Sequence, residues 1–327
     1  MSAENRNTAI DLKNLKAGGF IKERGKDLFT VRLRVPGGRV SVERLKKIAA
    51  VADKYCKEGL VHLSVRQSVE LINVNFRDFD AVVAELGEGD QKVASCGARV
   101  RVPTACGGCE YNPNGLVDTQ QSALEVDKKL FGTPTGHHKF KVAFAGCPFD
   151  CPKSATNDVG FQGAIWPELD KDACISCGLC AKNCTDNAIT IGDDKLPGFT
   201  VADCSWCGDC VKVCPTGAWS AARRGYSVRI GGKWGRNPLV GTLFATFLPE
   251  DQAVAFIAAV LDWYGAKAEN RGRVRLGDII LLEGADSLLE HLRAGFPQAV
   301  VKTAIPPQII NTQVGNQACS LKEKRDI

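Results

Sequence analysis

Twelve of the 15 cysteines fall in tight groups between Cys106 and Cys214, and only Cys56, Cys96 and Cys319 stand apart. Cys174, Cys177, Cys180 and Cys184 follow the spacing C-x2-C-x2-C-x3-C; Cys204, Cys207, Cys210 and Cys214 repeat it, with Pro215 behind. Three thiolates packed closely with a fourth just downstream suit a cubane iron–sulfur cluster. In two-cluster runs the fourth cysteine reaches across to the other cluster. On that rule Cys174, Cys177, Cys180 and Cys214 hold one 4Fe–4S cluster, and Cys204, Cys207, Cys210 and Cys184 hold a second. Structural zinc instead takes two separated C-x2-C pairs. The first run ends in Thr185 rather than proline, which leaves its ligands intact. By itself the doubled run says only that electrons pass through.

A second constellation pairs Cys106-Gly-Gly-Cys109 with Cys147-Pro-Phe-Asp-Cys151. On spacing alone a zinc site and an iron cluster both fit. The stretch KFKVAFA (139–145) before the second pair alternates, with Phe140, Val142 and Phe144 on one strand face and Lys139 and Lys141 on the other. Arg32 and Arg34 have the same strand geometry, and Arg66 and Arg101 stand near strand ends. Cations on strands fit for burial need an anionic partner, because an unpaired buried charge is very costly. A polycarboxylate cofactor with a small oxyanion would supply one. His137 and His138 read as a solvated pair more readily than as a proton relay. Trp206 and Trp219 are expected to pack on the clusters, and Gly231, Gly232 and Lys233 to lie near a cofactor.

The elements that must position these groups are legible in outline. In residues 29–35, Val31, Leu33 and Val35 alternate with Arg32 and Arg34, which predicts a strand. Pro36, Gly37 and Gly38 make a turn. Ser41 is an N-cap for a helix carrying Leu45, Ile48, Ala49, Ala52 and Tyr55. Strands are expected over residues 60–65 and 69–74, a helix from Asp78 to Gly87, and a further strand near Val100. That order suits a ferredoxin-like half-domain over residues 20–95. Residues 96–165 and 217–327 form a second, discontinuous α+β domain interrupted by the cysteine-rich insert at 166–216. It has helices near 118–130, from Glu250 to Tyr264 with Gly265 as the stop, and from Asp286.

With 327 residues the chain has room for about two domains. Its 44% hydrophobic and 24% charged content is that of an ordinary globular protein. A net charge of +5, scattered along the chain, does not mark a nucleic-acid binder. The N-terminus lacks the apolar core of a signal peptide, and no apolar run is long enough to span a membrane. Thiols in such number then belong to a reducing, cytoplasmic compartment, where they bind metal or carry electrons. No dinucleotide fingerprint follows a strand, so an external flavoprotein or ferredoxin donor is expected. Cys56 and Cys96 read as core thiols and Cys319 as a free thiol in a polar tail.

The stretches VRLRVPGGR (31–39), HLSVRQSVEL (62–71), RVRVPTAC (99–106), GLVDTQ (115–120), HKFKVAFAGCPFDC (138–151) and the paired cysteine runs together resemble the siroheme-containing sulfite and nitrite reductases. The likeness is strongest to the dissimilatory-type half-subunits that carry a ferredoxin insert. The resemblance implies an enzyme that reduces sulfite to sulfide in six electrons, with nitrite reduction to ammonia or a siroheme-free electron-transfer subunit as alternatives. It implies siroheme and three 4Fe–4S clusters. Arg32, Arg101, Lys139 and Lys141 correspond to substrate-facing cations, and Arg34, Arg66 and Gln67 to the stretches that hold the siroheme carboxylates. Cys106, Cys147 and Cys151 correspond to ligands of the siroheme-coupled cluster, with the Cys151 sulfur shared with the siroheme iron. The family spaces its first pair C-x5-C, which here falls on Asn112. Either the extra thiol Cys109 is the fourth ligand or the cluster has three; a thiolate is the better iron ligand, which favours Cys109. Phe149-Asp150 replaces the family's Asn-Gly, and His62 stands in place of an arginine. The family's complete enzyme pairs two such halves, and this chain has one. A second copy or a related half-subunit is therefore the expected partner.

Overall fold

The computed structural model describes residues 11–25 and 27–310; Cys319 and the polar tail from Gly315 lie outside them. The chain divides into two compact units, one of residues up to Val102 with Phe131–Phe140, the other of Pro103–Leu130 with everything from Lys141. Among the described residues no helix is long and apolar enough to cross a membrane.

Unit one begins with a short helix α1 (Leu12–Ala17) and strands β1 (Phe20–Lys22) and β2 (Leu28–Arg32). Helix α2 (Val42–Tyr55), strands β3 (Val61–Leu63) and β4 (Val69–Asn75) and helix α3 (Phe79–Glu88) follow. The four strands form one antiparallel sheet in the order β1-β2-β4-β3. Alternation in β2 buries Phe29 and Val31, and Leu33 and Val35 continue the buried row beyond it. Ser41 caps α2 as its position predicts, accepting the Arg44 N–H at 3.2 Å. The helix turns Ile48, Val51 and Ala52 onto Val31, Leu71, Val82 and Leu86. Full burial of one such side chain contributes about 1.5–3 kcal/mol. The strand expected near Val100 does not form. Val100 makes a single parallel bridge to Phe140, and the Arg101 N–H donates to the Phe140 carbonyl at 2.9 Å. Pro103 has no N–H to extend the ladder.

Unit two contains β5 (Thr104–Ala105), α4 (Gly108–Tyr111), α5 (Thr119–Leu130), β6 (Val142–Ala145), β7 (Val159–Leu169), α6 (Leu179–Asn183), β8 (Ile189–Ile191) and β9 (Pro197–Phe199). Then come α7 (Asp209–Val213), β10 (Trp219–Ile230), β11 (Leu239–Val240), β12 (Thr242–Leu248), α8 (Ala253–Ala268), α9 (Leu276–Glu283), α10 (Asp286–Gly295) and β13 (Gln308–Ile309). A five-stranded sheet runs in the order β12-β10-β7-β6-β5. Its β5-β6-β7 part is parallel and its β7-β10-β12 part antiparallel. All four residues of β6 are buried, so this strand is covered on both faces rather than split into an inner and an outer one. Phe144 stacks on Phe161 at 4.7 Å between centroids, with Tyr226 against both. Strands β7 and β10 form a long two-stranded ribbon, from Val159 opposite Ile230 to Leu169 opposite Trp219. The cysteine-rich residues 170–218 join the two strands at its end. Helix α8 runs through Gly265 instead of stopping there, because Tyr264 and Ala268 on either side are buried and their packing outweighs the glycine's low helix propensity. Helix α9 is an element that the sequence reading leaves out.

Candidate redox site

In unit two the local geometry sorts the thiols into sets. Cys174, Cys177, Cys180 and Cys214 line one small pocket together with Pro197, Pro215 and Trp219. This is the crossed set expected from spacing, three cysteines of the first run with the last of the second. Burial pushes the Cys210 thiol up to about 12, and Cys207, Cys204 and Cys184 are the charges that add to it. These are the cysteines that the spacing rule expects to share a cluster with Cys210. The α6 and α7 turns that present these thiols are alike. Each is entered by a left-handed glycine, Gly178 at φ +73° and Gly208 at φ +75°, a conformation open to glycine at little cost. Each has a second left-handed residue just before it, Ser176 and Trp206. The Trp206 N–H donates to Cys204 Sγ at 3.3 Å.

The third set is centred on β6. Burial raises the Cys147 thiol, and Cys106 and Cys151 are the other thiols whose charge acts on it. Cys106 Sγ accepts backbone N–H groups from Gly146 at 3.0 Å and Gly108 at 3.4 Å. Gly108 sits at φ +56°, and a Cβ there would meet Thr119 Oγ1 at 2.7 Å, so this loop requires glycine. Cys109 is exposed; burial raises its thiol, the charges of Asp118 and Glu250 add to the rise, and Arg224 opposes it. Asn112 is used by its own turn, its Oδ1 accepting the Asn114 N–H at 3.0 Å. Cys106 and Cys151 are thus the thiols whose charge acts on Cys147, and Cys109 follows Cys106 by three residues in the first turn of α4. Cys147 and Cys207, one from the β6 set and one from the Cys184–Cys204–Cys207–Cys210 set, line a common cavity of about 190 Å³ with Phe149, Asp186 and Lys212.

The donor chemistry in this unit fits iron–sulfur clusters. Soft thiolates are the ligands such clusters take, and the thiols here occur in groups rather than singly. Trp219 is buried against Cys180 and Cys210, and its indole N–H, like that of Trp206, has no acceptor among the protein atoms. Buried donors beside thiols match groups that carry extra sulfur acceptors.

Unit one holds Arg32, Arg34, Arg66, Gln67, Arg101 and Lys139; Lys141 belongs to unit two. The register of three strands lines up His62, Glu70 and Arg32 side by side. Arg32 Nε and Nη2 both reach Glu70 Oε1 at 2.6 Å, and His62 Nδ1 is 2.9 Å from Oε2. The anionic partner that Arg32 calls for is thus partly internal, a residue the sequence reading passes over. Arg34 lies over the Phe131 ring at 3.9 Å, and Arg66 Nη2 donates to the Val102 carbonyl at 2.8 Å. Gln67 occupies a left-handed turn position beside Gly38. The Lys139 N–H donates to His138 Nδ1 at 2.9 Å. Lys141 is placed by its backbone: its N–H donates to Asp158 Oδ2 at 2.8 Å, and Asp158 is buried in a two-pronged pair with Arg275. Lys233 pairs with Asp278.

Residues 96–299 match the nitrite and sulphite reductase 4Fe-4S domain, and residues 21–89 match the nitrite/sulfite reductase ferredoxin-like half domain. Coenzyme F420-dependent sulfite reductase of Methanocaldococcus jannaschii is 32% identical over 277 residues, covering 84% of this chain and 44% of that protein. A subunit of the anaerobic sulfite reductase of Salmonella typhimurium is 29% identical, covering 74% of this chain and 77% of that protein. This chain thus spans less than half the length of the first relative and about three quarters of the second. The fold is shared with dissimilatory sulfite reductase I (TM-score 0.66, 21% identity, 81% of this chain and 69% of that one). It is also shared with Mycobacterium tuberculosis NirA (TM-score 0.63, 16% identity, 91% of this chain and 48% of that one). With an α+β fold, a ferredoxin-like half domain and this set of thiols, the chain belongs to the nitrite and sulphite reductase 4Fe-4S family.

Proposed function

We infer that this chain catalyses the six-electron reduction of sulfite to sulfide as the cofactor-bearing half of a sulfite reductase. The observation that carries this reading is the cavity shared by Cys147 and Cys207, which brings a thiol of the three-cysteine set next to one of the doubled run. Electron-carrying groups held that close can exchange electrons. Two of its curated relatives, named above, are sulfite reductases.

Cys174, Cys177, Cys180 and Cys214 would hold one ferredoxin-type 4Fe–4S cluster, and Cys184, Cys204, Cys207 and Cys210 the other. Cys106, Cys147 and Cys151 would hold a third, with Cys109 as its fourth ligand in preference to Asn112 because a thiolate binds iron better. Arg34, Arg66 and Gln67 would hold the carboxylates of siroheme. When bound, these groups supply the one-electron chemistry and the open iron site that no side chain offers. Arg32, Arg101, Lys139 and Lys141 bind and orient the oxyanion and offset its growing negative charge, and the lysines carry protons for the oxygens that leave. A cytoplasmic location keeps the thiols reduced. An external flavoprotein or ferredoxin is the electron donor, and the site is completed by a second copy or a related half-subunit. Nitrite reduction at the same residues is a second reading, favoured by the 27% identity to maize ferredoxin–nitrite reductase over 46% of this chain.

The test is an optical spectrum with iron counting on anaerobically purified protein, followed by steady-state rates with sulfite and nitrite. The expected result is a Soret band, absorption in the red, and about thirteen irons per chain from three cubes and one haem. About four to eight irons without the red band would leave an electron-transfer subunit instead.

A further inference from the structure

Cys96 is only 2% exposed, yet its surroundings are not those of a core thiol. Its sulfur accepts from Arg32 Nη1 at 3.2 Å and from Arg101 Nη1 at 3.1 Å. Two guanidiniums on one sulfur stand within two hydrogen-bond lengths of each other, where their like charges repel. Each is held from outside as well. Glu70 grips Arg32 through Nε and Nη2, and His62 steadies Glu70. The carbonyls of Ser95 and Gly97 accept from Arg101 Nη1 and Nη2, both at 3.2 Å. The Cys96 sulfur is the atom common to the two arrangements. A large, polarizable acceptor can take both donors at once.

We propose that Cys96 is a positioning residue whose buried sulfur sets the Arg32 and Arg101 guanidiniums side by side, so that the pair presents a fixed two-pronged cationic face to a small oxyanion. The inference rests on the reading of Arg32 and Arg101 as substrate-binding cations. It adds to that reading the atom that couples them. Glu70 offsets part of the paired charge, which lets two cations stay close before any anion arrives. Without the sulfur each arginine keeps its own outer partners and loses its registration to the other.

The test uses the purified holoenzyme and the variants Cys96→Ala, Cys96→Ser, Arg32→Gln and Arg101→Gln. Sulfite Kd is measured by isothermal titration calorimetry. KM and kcat are measured with reduced methyl viologen as donor, and cofactor loading is read from the optical spectrum. Cys96→Ala is expected to weaken sulfite binding and raise KM about tenfold, the size of one lost charge-assisted hydrogen bond, with kcat within about twofold and loading unchanged. Cys96→Ser, whose smaller oxygen still accepts, falls between Cys96→Ala and the parent. If the arginine variants weaken binding while Cys96→Ala and Cys96→Ser both match the parent within about twofold, Cys96 is a packing thiol and the inference fails alone. If the arginine variants also leave Kd and KM unchanged, the substrate-cation reading fails with it. Should Cys96→Ala not retain its cofactors, Cys96→Ser is judged by the same criterion.

Discussion

Replacing Asp158 by Asn removes one buried charge and leaves its partner in place. Asp158 is 1% and the Arg275 side chain 8% exposed. Their two hydrogen bonds are 3.1 Å from Nε to Oδ1 and 2.6 Å from Nη2 to Oδ2. Burial works against the Arg275 charge, and the Asp158 carboxylate outweighs it, so the guanidinium is held above its ordinary value. With the carboxylate gone, an uncompensated cation stays in the interior, at a cost of about 3–5 kcal/mol. The Asn amide also turns a donor toward donors, because Oδ2 serves both Arg275 and the Lys141 N–H. In a unit of about 200 residues, where 1 kcal/mol moves the midpoint by about 2–4 °C, the expected drop is about 6–20 °C. The assay is thermal unfolding followed by circular dichroism at one fixed scan rate, parent against variant. The paired replacement Asp158→Leu with Arg275→Met is expected to lose less than Asp158→Asn alone, because no charge is stranded. A midpoint for Asp158→Asn within about 1 °C of the parent would refute the account of the pair as a buried, mutually dependent unit.

Two further outcomes concern titrating groups. Hydrogen bonds from Lys54 and then Tyr55 hold the Glu85 carboxyl below the usual carboxylate range. Its contribution to stability is therefore full above the unfolded carboxylate's value, about 4.3, and is lost as pH falls through the folded one. Glu85→Gln should flatten that acid limb in denaturant midpoints taken from pH 6 to 2, and an unchanged limb would remove Glu85 from the account. After chelator stripping, Cys214 should be alkylated by iodoacetamide before Cys210 at pH 8, as read by peptide mass spectrometry. Burial raises both thiols, but at Cys214 the N–H of Trp219 and the hydroxyl and N–H of Thr216 outweigh it and lower the value, whereas Cys210 is pushed up to about 12. Only the thiolate reacts, so equal rates would contradict the difference.

Features fixed by near neighbours are legible before any fold is known. The tight spacing of Cys174, Cys177 and Cys180 is read over a few residues, and so is the Ser41 cap, whereas the assignment of Cys214, 34 residues beyond Cys180, needs the two-cluster rule as well. Features fixed by register are not. Glu70 sits between two apolar residues and reads as an outward strand position. Only the pairing of β4 with β2 and β3 places it between Arg32 and His62. The Asp158–Arg275 pair joins residues more than a hundred positions apart and carries no local signature. Glu250 acts on the Cys109 thiol from more than a hundred positions away and likewise carries no local signature. Alternation puts Phe140 and Lys141 in one strand with Val142, but β6 begins only at Val142, and Phe140 pairs with Val100 in the other unit.

The ribbon of β7 and β10 has an architectural consequence. Leu169 and Trp219 are direct partners across it, so the whole segment from 170 to 218 leaves and rejoins the sheet at one point. Closing a loop costs the chain little more when the loop is lengthened several-fold, because the entropy grows only with the logarithm of its length. In the strand order that segment counts as a single hairpin connection, although it also folds back on the ribbon, the Ile165 N–H donating to the Trp206 carbonyl at 3.0 Å. A short turn or a different module in its place would leave the strand order as it is.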